Sequence, residues 1–166
     1  KRILRYLRGA VCRSLTYVHS AVVRIVAYSD SDWGGDPGTR RSKTGYVVIV
    51  SAGAVAWQTK SQRTVALSSC EAELYAMCEC VKELLWVRSF LSAMKIKFEV
   101  PVLYVDNQGA IDLANNPVNH QRTKHIDIRW YFIRDELKKG TMILSKVASA
   151  DNLADINTKP VSVQVH

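Results

Sequence analysis

The apolar residues Leu67, Cys70, Leu74, Met77, Cys78, Val81, Leu84 and Leu85 recur at three- and four-residue steps. That period belongs to an α-helix with one buried stripe, and it predicts a helix over residues 69–94. Ser68-x-x-Glu71 marks its start with the pattern of a capping box. A helix of that length needs a broad apolar surface to lie on. The segments around it supply one. Residues 22–29 (VVRIVAYS), 45–51 (GYVVIVS) and 54–59 (AVAWQT) are β-branched and aromatic, and residues 100–105 (VPVLYV) form another apolar run. These read as strands, the second and third joined by a hairpin at Ser51-Ala52-Gly53. Residues 15–18 are either an edge strand or a connection.

Beyond Asp106 a helical stretch runs to about Asn115 and is broken at Asn115-Asn116-Pro117. Residues 122–139 form another helix, with Ile126, Trp130, Ile133 and Leu137 on one face and Gly140 after it. Residues 141–147 read as a strand and 150–158 as a last short helix, ended by Pro160. A strand–helix–strand crossover within this order argues for an α/β fold whose sheet is part antiparallel and part parallel. Sites on such sheets form at the carboxyl ends of parallel strands.

The 166 residues suffice for one domain with a proper core. Lys and Arg exceed Asp and Glu by 23 to 15, a net charge of +8, which suits a polyanionic partner. No apolar run approaches the roughly 20 residues that span a bilayer, so no membrane partner is expected. The basic opening stretch KRILRYLRGA has no uninterrupted apolar core and reads as the tail of a helix from a longer chain. Cys12, Cys70, Cys78 and Cys80 lack zinc-ligand spacing and read as free thiols, chiefly buried. Trp33, Trp57, Trp86 and Trp130 are expected to pack in the core.

Two acids directly follow predicted strands, Asp30 after RIVAYS and Asp106 after VLYV. On parallel neighbours both would open at one sheet edge. Each also has a plainer role: Asp106 as an N-cap, Asp30 and Asp32 as turn residues. Glu71 and Glu73 flank the stripe of the long helix almost equally, so orientation does not choose between them. The capping box does, because it employs Glu71 toward Ser68 and leaves Glu73 without a local task. Asp151 and Asp155 stand four apart on the predicted last helix and share its face.

The stretches YSDSDWGGDPGTRRSKTGYVV, ALSSCEAELYAM, LYVDNQGAI, RTKHIDIRWYFIRDEL and DNLADINTKP, in this order, closely resemble the ribonuclease H domain of copia-type long-terminal-repeat retrotransposons. The resemblance covers about residues 14–161. It implies a ribonuclease H-like fold, a five-stranded mixed sheet flanked by helices. It also implies that residues 1–13 end a reverse transcriptase or connection region and that 162–166 are a tail. The implied activity is hydrolysis of the RNA strand of RNA–DNA hybrids during reverse transcription, in a cytoplasmic virus-like particle or the nucleus. The reverse transcriptase domain of the same polyprotein would be a further partner.

The resemblance implies a catalytic and metal-binding set of Asp30, Glu73, Asp106 and Asp155, with Asp32 in reserve for the first position and Asp151 in support. Four close carboxylates call for cations, and hard oxygen ligands suit two Mg²⁺, with Mn²⁺ as a substitute. Relatives place a histidine in the loop before the last helix. Here that loop is Val147-Ala148-Ser149-Ala150, so no catalytic histidine is assigned.

For the hybrid, Ser68, Ser69 and Asn107 border the acids and suit backbone or 2′-hydroxyl contacts. Arg122, His125 and Arg129 share a helix face that would lie along phosphates or simply be solvated. Arg40, Arg41 and Lys43 form a loop cluster that reads mainly as solvated charge. An alternative is a catalytically inactive nucleic-acid-binding or tethering domain of the same fold. Clustered negative charge beside phosphates would gain such a binder nothing. A strand-transferase on this fold is another alternative, but it would carry its glutamate on a late helix rather than at Glu73.

Overall fold

A computed structural model describes residues 2–115 and 124–160, with Arg2 and residues 124–127 described by backbone alone. Helix α1 (Arg2–Gly9) precedes three strands, β1 (Ile25–Asp32), β2 (Lys43–Val50) and β3 (Gly53–Ser61). The long helix α2 (Ser69–Ala93) follows, then β4 (Val102–Val105), α3 (Gln108–Asn115), α4 (Lys124–Lys138) and β5 (Ile143–Lys146). The strands form one five-stranded sheet in the order β3-β2-β1-β4-β5. The first three are antiparallel, and β1, β4 and β5 are parallel, the mixed sheet expected from the sequence.

Side-chain alternation along β1 sets the two faces of the sheet. Ile25, Ala27 and Ser29 are buried, and the hydroxyl of Ser31 meets Glu73 of α2, so this register faces the helices. The core lies between that face and α2, built on Leu74, Met77, Val81, Leu84, Leu103 and Val105, with Ile133 of α4 closing it. Tyr28 and Tyr104 stack on the opposite face with ring centroids 5.1 Å apart. The segment from Ser149 to Thr158 covers that second face near Asp30, packing on β1, β2 and β3.

Several expectations are corrected. The β1 strand runs on to Asp32, so Asp30 lies inside it rather than in a turn. The hairpin turn is Ser51-Ala52, both at positive φ (47° and 74°), with β3 already beginning at Gly53. Residues 150–158 are not a helix but two 3-10 turns, Ser149–Asp151 and Asp155–Asn157, so Asp151 and Asp155 do not share a helical face. Leu67 precedes α2 and is exposed. Trp33, Trp57 and Trp86 are each more than half exposed, and only Trp130 packs against the core. Apolar side chains on an edge strand and on the outer face of a helix keep the residue type of a core without its position.

The four cysteines are free; Cys78 and Cys80 are buried, Cys70 is half-buried and Cys12 exposed. Residues 15–18 form no strand, although the Tyr17 hydroxyl donates to the Ala54 carbonyl at 2.8 Å. No described helix is long and apolar enough to cross a membrane. The break at 116–117, Arg122 and the tail 162–166 lie outside the described residues.

Candidate active site

The parallel pairing of β1 with β4 sets Tyr28 opposite Tyr104. Two residues further along each strand stand Asp30 and Asp106, side by side at the carboxyl edge of the sheet. Asp155 reaches the same point from the second 3-10 turn, and ligand atoms of Asp30, Asp106 and Asp155 lie within 4.8 Å of one another. The N-cap role open to Asp106 falls instead to its neighbour. Asn107 Oδ1 accepts from Ala110 N at 3.0 Å at the start of α3.

Glu73 approaches from the helical side. Its Oε1 accepts from the backbone N–H and the hydroxyl of Ser31, both at 3.1 Å, while Oε2 is buried without a hydrogen-bond partner among the described residues. Burial, with Asp30 and Asp106 nearby, pushes the Glu73 carboxyl up to about 8. Glu71 is also buried but is employed elsewhere: its Oε2 accepts from Leu67 N at 2.7 Å, while Ser68 Oγ accepts from Glu71 N at 3.1 Å. The capping box thus closes one residue earlier than its spacing implies.

The terminal segment is fastened to the sheet by groups that motif reading passed over. Asn152 donates to the Ser29 carbonyl at 3.1 Å, and Asn157 donates to that of Tyr46 at 3.0 Å. The Thr158 hydroxyl donates a hydrogen bond to Asp30 Oδ2. Gly45, directly across from Asp30, makes room for this segment. A Cβ there would lie 2.8 Å from Asn157 Cβ and 3.1 Å from the Ala154 carbonyl oxygen. The available signal was the density of Asn and Thr in DNLADINTKP, polar residues that a buried chain segment needs to satisfy neighbouring backbone.

Burial raises the Asp30 carboxyl above its ordinary value; the Thr158 bond lowers it, and Asp155 and Asp106 add to the rise. Lys159 Nζ lies 2.8 Å from Asp155 Oδ2, and burial, which lowers the Lys159 ammonium, is outweighed by Asp155, Asp30 and Asp106, which raise it. The opposite oxygen, Asp155 Oδ1, is buried without a partner among the described residues. The three converging acids, with an unpartnered buried oxygen on Asp155, fit hard divalent cations, while Glu73, outside that group, offers a second unpartnered buried oxygen from α2.

Other candidate positions divide. Ser68 is spent as an N-cap, Ser69 is exposed at the helix start, and Asn107 accepts from Cys70 Sγ (3.5 Å) besides capping α3. Asp32 turns to the β2 side, where it accepts from Lys43 N, and is outside the three-acid cluster, as is exposed Asp151. Arg129 lies over the ring of Tyr75, 3.9 Å from its centroid. The His125 side chain and Arg122 fall outside what the structure describes.

No protein-family model matches the chain. The RNase H1 of the halophilic archaeon Halobacterium salinarum superposes with a TM-score of 0.55 at 19% identity, over 81% of this chain and 94% of that one. LC11-RNase H1, solved in complex with an RNA/DNA hybrid, gives 0.57 at 14% identity, over 81% and 94%. The fold is therefore that of ribonuclease H. In sequence, the chain is a relative of the retrovirus-related Pol polyproteins of copia-type transposons. It is 42% identical over 161 residues to that of transposon TNT 1-94 from Nicotiana tabacum. That match takes in 97% of this chain and 12% of the polyprotein, so the chain corresponds to one segment of a much longer relative.

Proposed function

We propose that this chain is the ribonuclease H segment of a retrotransposon Pol polyprotein, cutting the RNA strand of RNA–DNA hybrids endonucleolytically. The observation that carries the reading is the convergence of Asp30, Asp106 and Asp155 within 4.8 Å at the carboxyl edge of parallel strands. Glu73 completes the set from α2. Related polyproteins and the hybrid-bound structural neighbour support the substrate. On this reading residues 14–161 are the nuclease domain and 1–13 end the preceding reverse transcriptase region, which would be its partner in the virus-like particle.

Asp30, Glu73, Asp106 and Asp155 would hold two Mg²⁺, with Mn²⁺ as a substitute. Such ions, when bound, offset the clustered negative charge, lower the pKa of an attacking water and stabilise charge on the leaving 3′ oxygen. The chain's own residues set the frame. Thr158 fixes the Asp30 carboxylate, Lys159 fixes that of Asp155, and the two Ser31 donors orient Glu73. The expected products carry 5′-phosphate and 3′-hydroxyl ends.

The test is gel analysis of a labelled RNA–DNA hybrid with and without Mg²⁺. Cleavage of the RNA strand alone, dependent on the ion and absent from Asp106→Asn, is the expected result. Metal-independent cleavage would overturn the metal-dependent reading, and no cleavage by the folded wild type would overturn the proposal and leave the inactive binding domain as the better reading.

A further inference from the structure

The segment that delivers Asp155 to the acids also delivers a cation. Lys159 stands four residues further on, and its Nζ lies 2.8 Å from Asp155 Oδ2. Its neighbour Thr158 donates to Asp30 Oδ2. Two consecutive side chains thus take hold of two different acids of the cluster, one with a hydroxyl and one with a charge.

An exposed ion pair four residues apart is worth little, because water screens it. Lys139 and Asp135 make such a pair at 2.5 Å, with both side chains more than half exposed. The Lys159 pair has other surroundings. The Asp155 side chain is 14% exposed, against 60% for Asp135. Ligand atoms of Asp155, Asp30 and Asp106 lie within 4.8 Å of one another, and acids so close repel. Burial lowers the Lys159 ammonium, but Asp155, Asp30 and Asp106 together outweigh this and raise it. The charge of Lys159 is therefore set against the whole cluster and not against one partner.

The ammonium is also free to withdraw. About half of the Lys159 side chain is in solvent. The turn beneath it is closed by backbone alone: Thr158 N and Lys159 N donate to the Asp155 carbonyl at 3.1 and 3.0 Å, and Asp155 N donates to that of Asn152 at 3.1 Å. Withdrawal leaves these bonds in place and frees Asp155 Oδ2.

We propose that the Lys159 ammonium is the resident counter-ion of the acid cluster, holding Asp155 beside Asp30 and Asp106 in the metal-free protein and competing with divalent ions for that carboxylate. The site then exchanges one cation for another. Arriving ions either displace the ammonium or accept a like charge a few ångströms away, so Lys159 lowers their affinity while it keeps the acids assembled without them. That the competing ions are catalytic rests on the nuclease reading; the ion pair does not.

The two halves of this role move in opposite directions when the charge is removed. Mn²⁺ binding by the chain without nucleic acid is followed by the paramagnetic resonance of the free ion, and melting by circular dichroism in EDTA and in saturating Mn²⁺. Lys159→Gln should bind Mn²⁺ more tightly than wild type by about fivefold or more, the effect of removing one unit charge about 4 Å from another at the dielectric of water. In EDTA it should melt below wild type, and saturating Mn²⁺ should close the gap. Lys159→Arg keeps the charge and should match wild type in both measurements. Lys139→Gln removes an equal charge just before β5, at the opposite end of the sheet, and should leave Mn²⁺ binding unchanged. Weaker or unchanged Mn²⁺ binding by Lys159→Gln would overturn the competition, even where the wild type cleaves the hybrid. A Lys159→Arg chain that departs from wild type would overturn it too, since charge would then not be what the position supplies. Tighter Mn²⁺ binding by Lys159→Gln, in a protein whose wild type cleaves no hybrid, would uphold the counter-ion and remove the nuclease reading.

Discussion

The hydroxyl of Thr158 donates to the carboxylate of Asp30, linking the last described segment of the chain to its first strand across 128 residues of sequence. The bond opposes the effect of burial on Asp30 by favouring the ionised form. It also holds one carboxylate oxygen, Oδ2, in place. Thr158→Val keeps the shape and removes the donor. We expect Mg²⁺ affinity or cleavage to fall about 10- to 100-fold, the usual effect of losing a partner that orients a ligand. Thr158→Ser should restore most of it. The Mg²⁺ dependence of hybrid cleavage measures this, and equal activity in the valine variant would show that Asp30 needs no such support.

Gly45 makes a steric prediction about the same contact. The Cβ added by Gly45→Ala would press on Asn157 and on the Ala154 carbonyl, moving the segment that carries Asp155. Overpacking of this kind costs about 1–3 kcal/mol. A displacement near 1 Å at a reacting group can cost about 100-fold in rate. Activity should therefore fall further than thermal stability. A variant with normal cleavage and normal melting would mean that the segment yields without cost.

The two glutamates at the start of α2 should separate cleanly. Glu71→Gln retains an acceptor for the Leu67 N–H and should keep substantial activity, because Glu71 faces the cap and not the acids. Glu73→Gln removes a charge beside Asp30 and Asp106 and should lose Mg²⁺-dependent cleavage. The hybrid assay on both variants decides it, and the reverse ranking would reassign the helix glutamate.

How much of this was legible in the sequence depended on whether a feature is local. The 3.6-residue period announced α2, and reading Asp30 and Asp106 as acids after strands placed both at one edge, which holds because β1 and β4 are parallel neighbours even though β1 continues to Asp32. The capping pattern alone set Glu71 apart from Glu73, although Ser68 is the N-cap and the Glu71 carboxylate reaches Leu67 N rather than Ser68 N. Asp155 was found by motif, while its helix was not a helix. Short polar segments take their shape from the surface that they cover, here β1 and β2, and local propensity carries little of that. Thr158, Asn152 and Gly45 were missed for the same reason: their partners are more than 100 residues away in sequence. The exposed tryptophans show the converse, since residue type alone does not tell the outer face of an edge strand from its inner face.

The crowding of the acids should also appear as a dependence of stability on pH without metal. Folding raises the Glu73 carboxyl to about 8 and moves Asp30 upward as well, so both bind protons more tightly folded than unfolded. The sign follows from linkage: this contribution is fully present below the ordinary carboxylate range and is lost as pH rises through the folded values, for Glu73 up to about 8. In EDTA the melting temperature should therefore decline from about pH 5 to pH 9. Glu73→Gln should flatten that decline, because an amide cannot ionise. Saturating Mg²⁺ should raise stability most at the alkaline end, where the carboxylates are ready to bind it without releasing protons. A metal-free profile that is the same in wild type and Glu73→Gln would show that Glu73 is not held among mutually repelling acids.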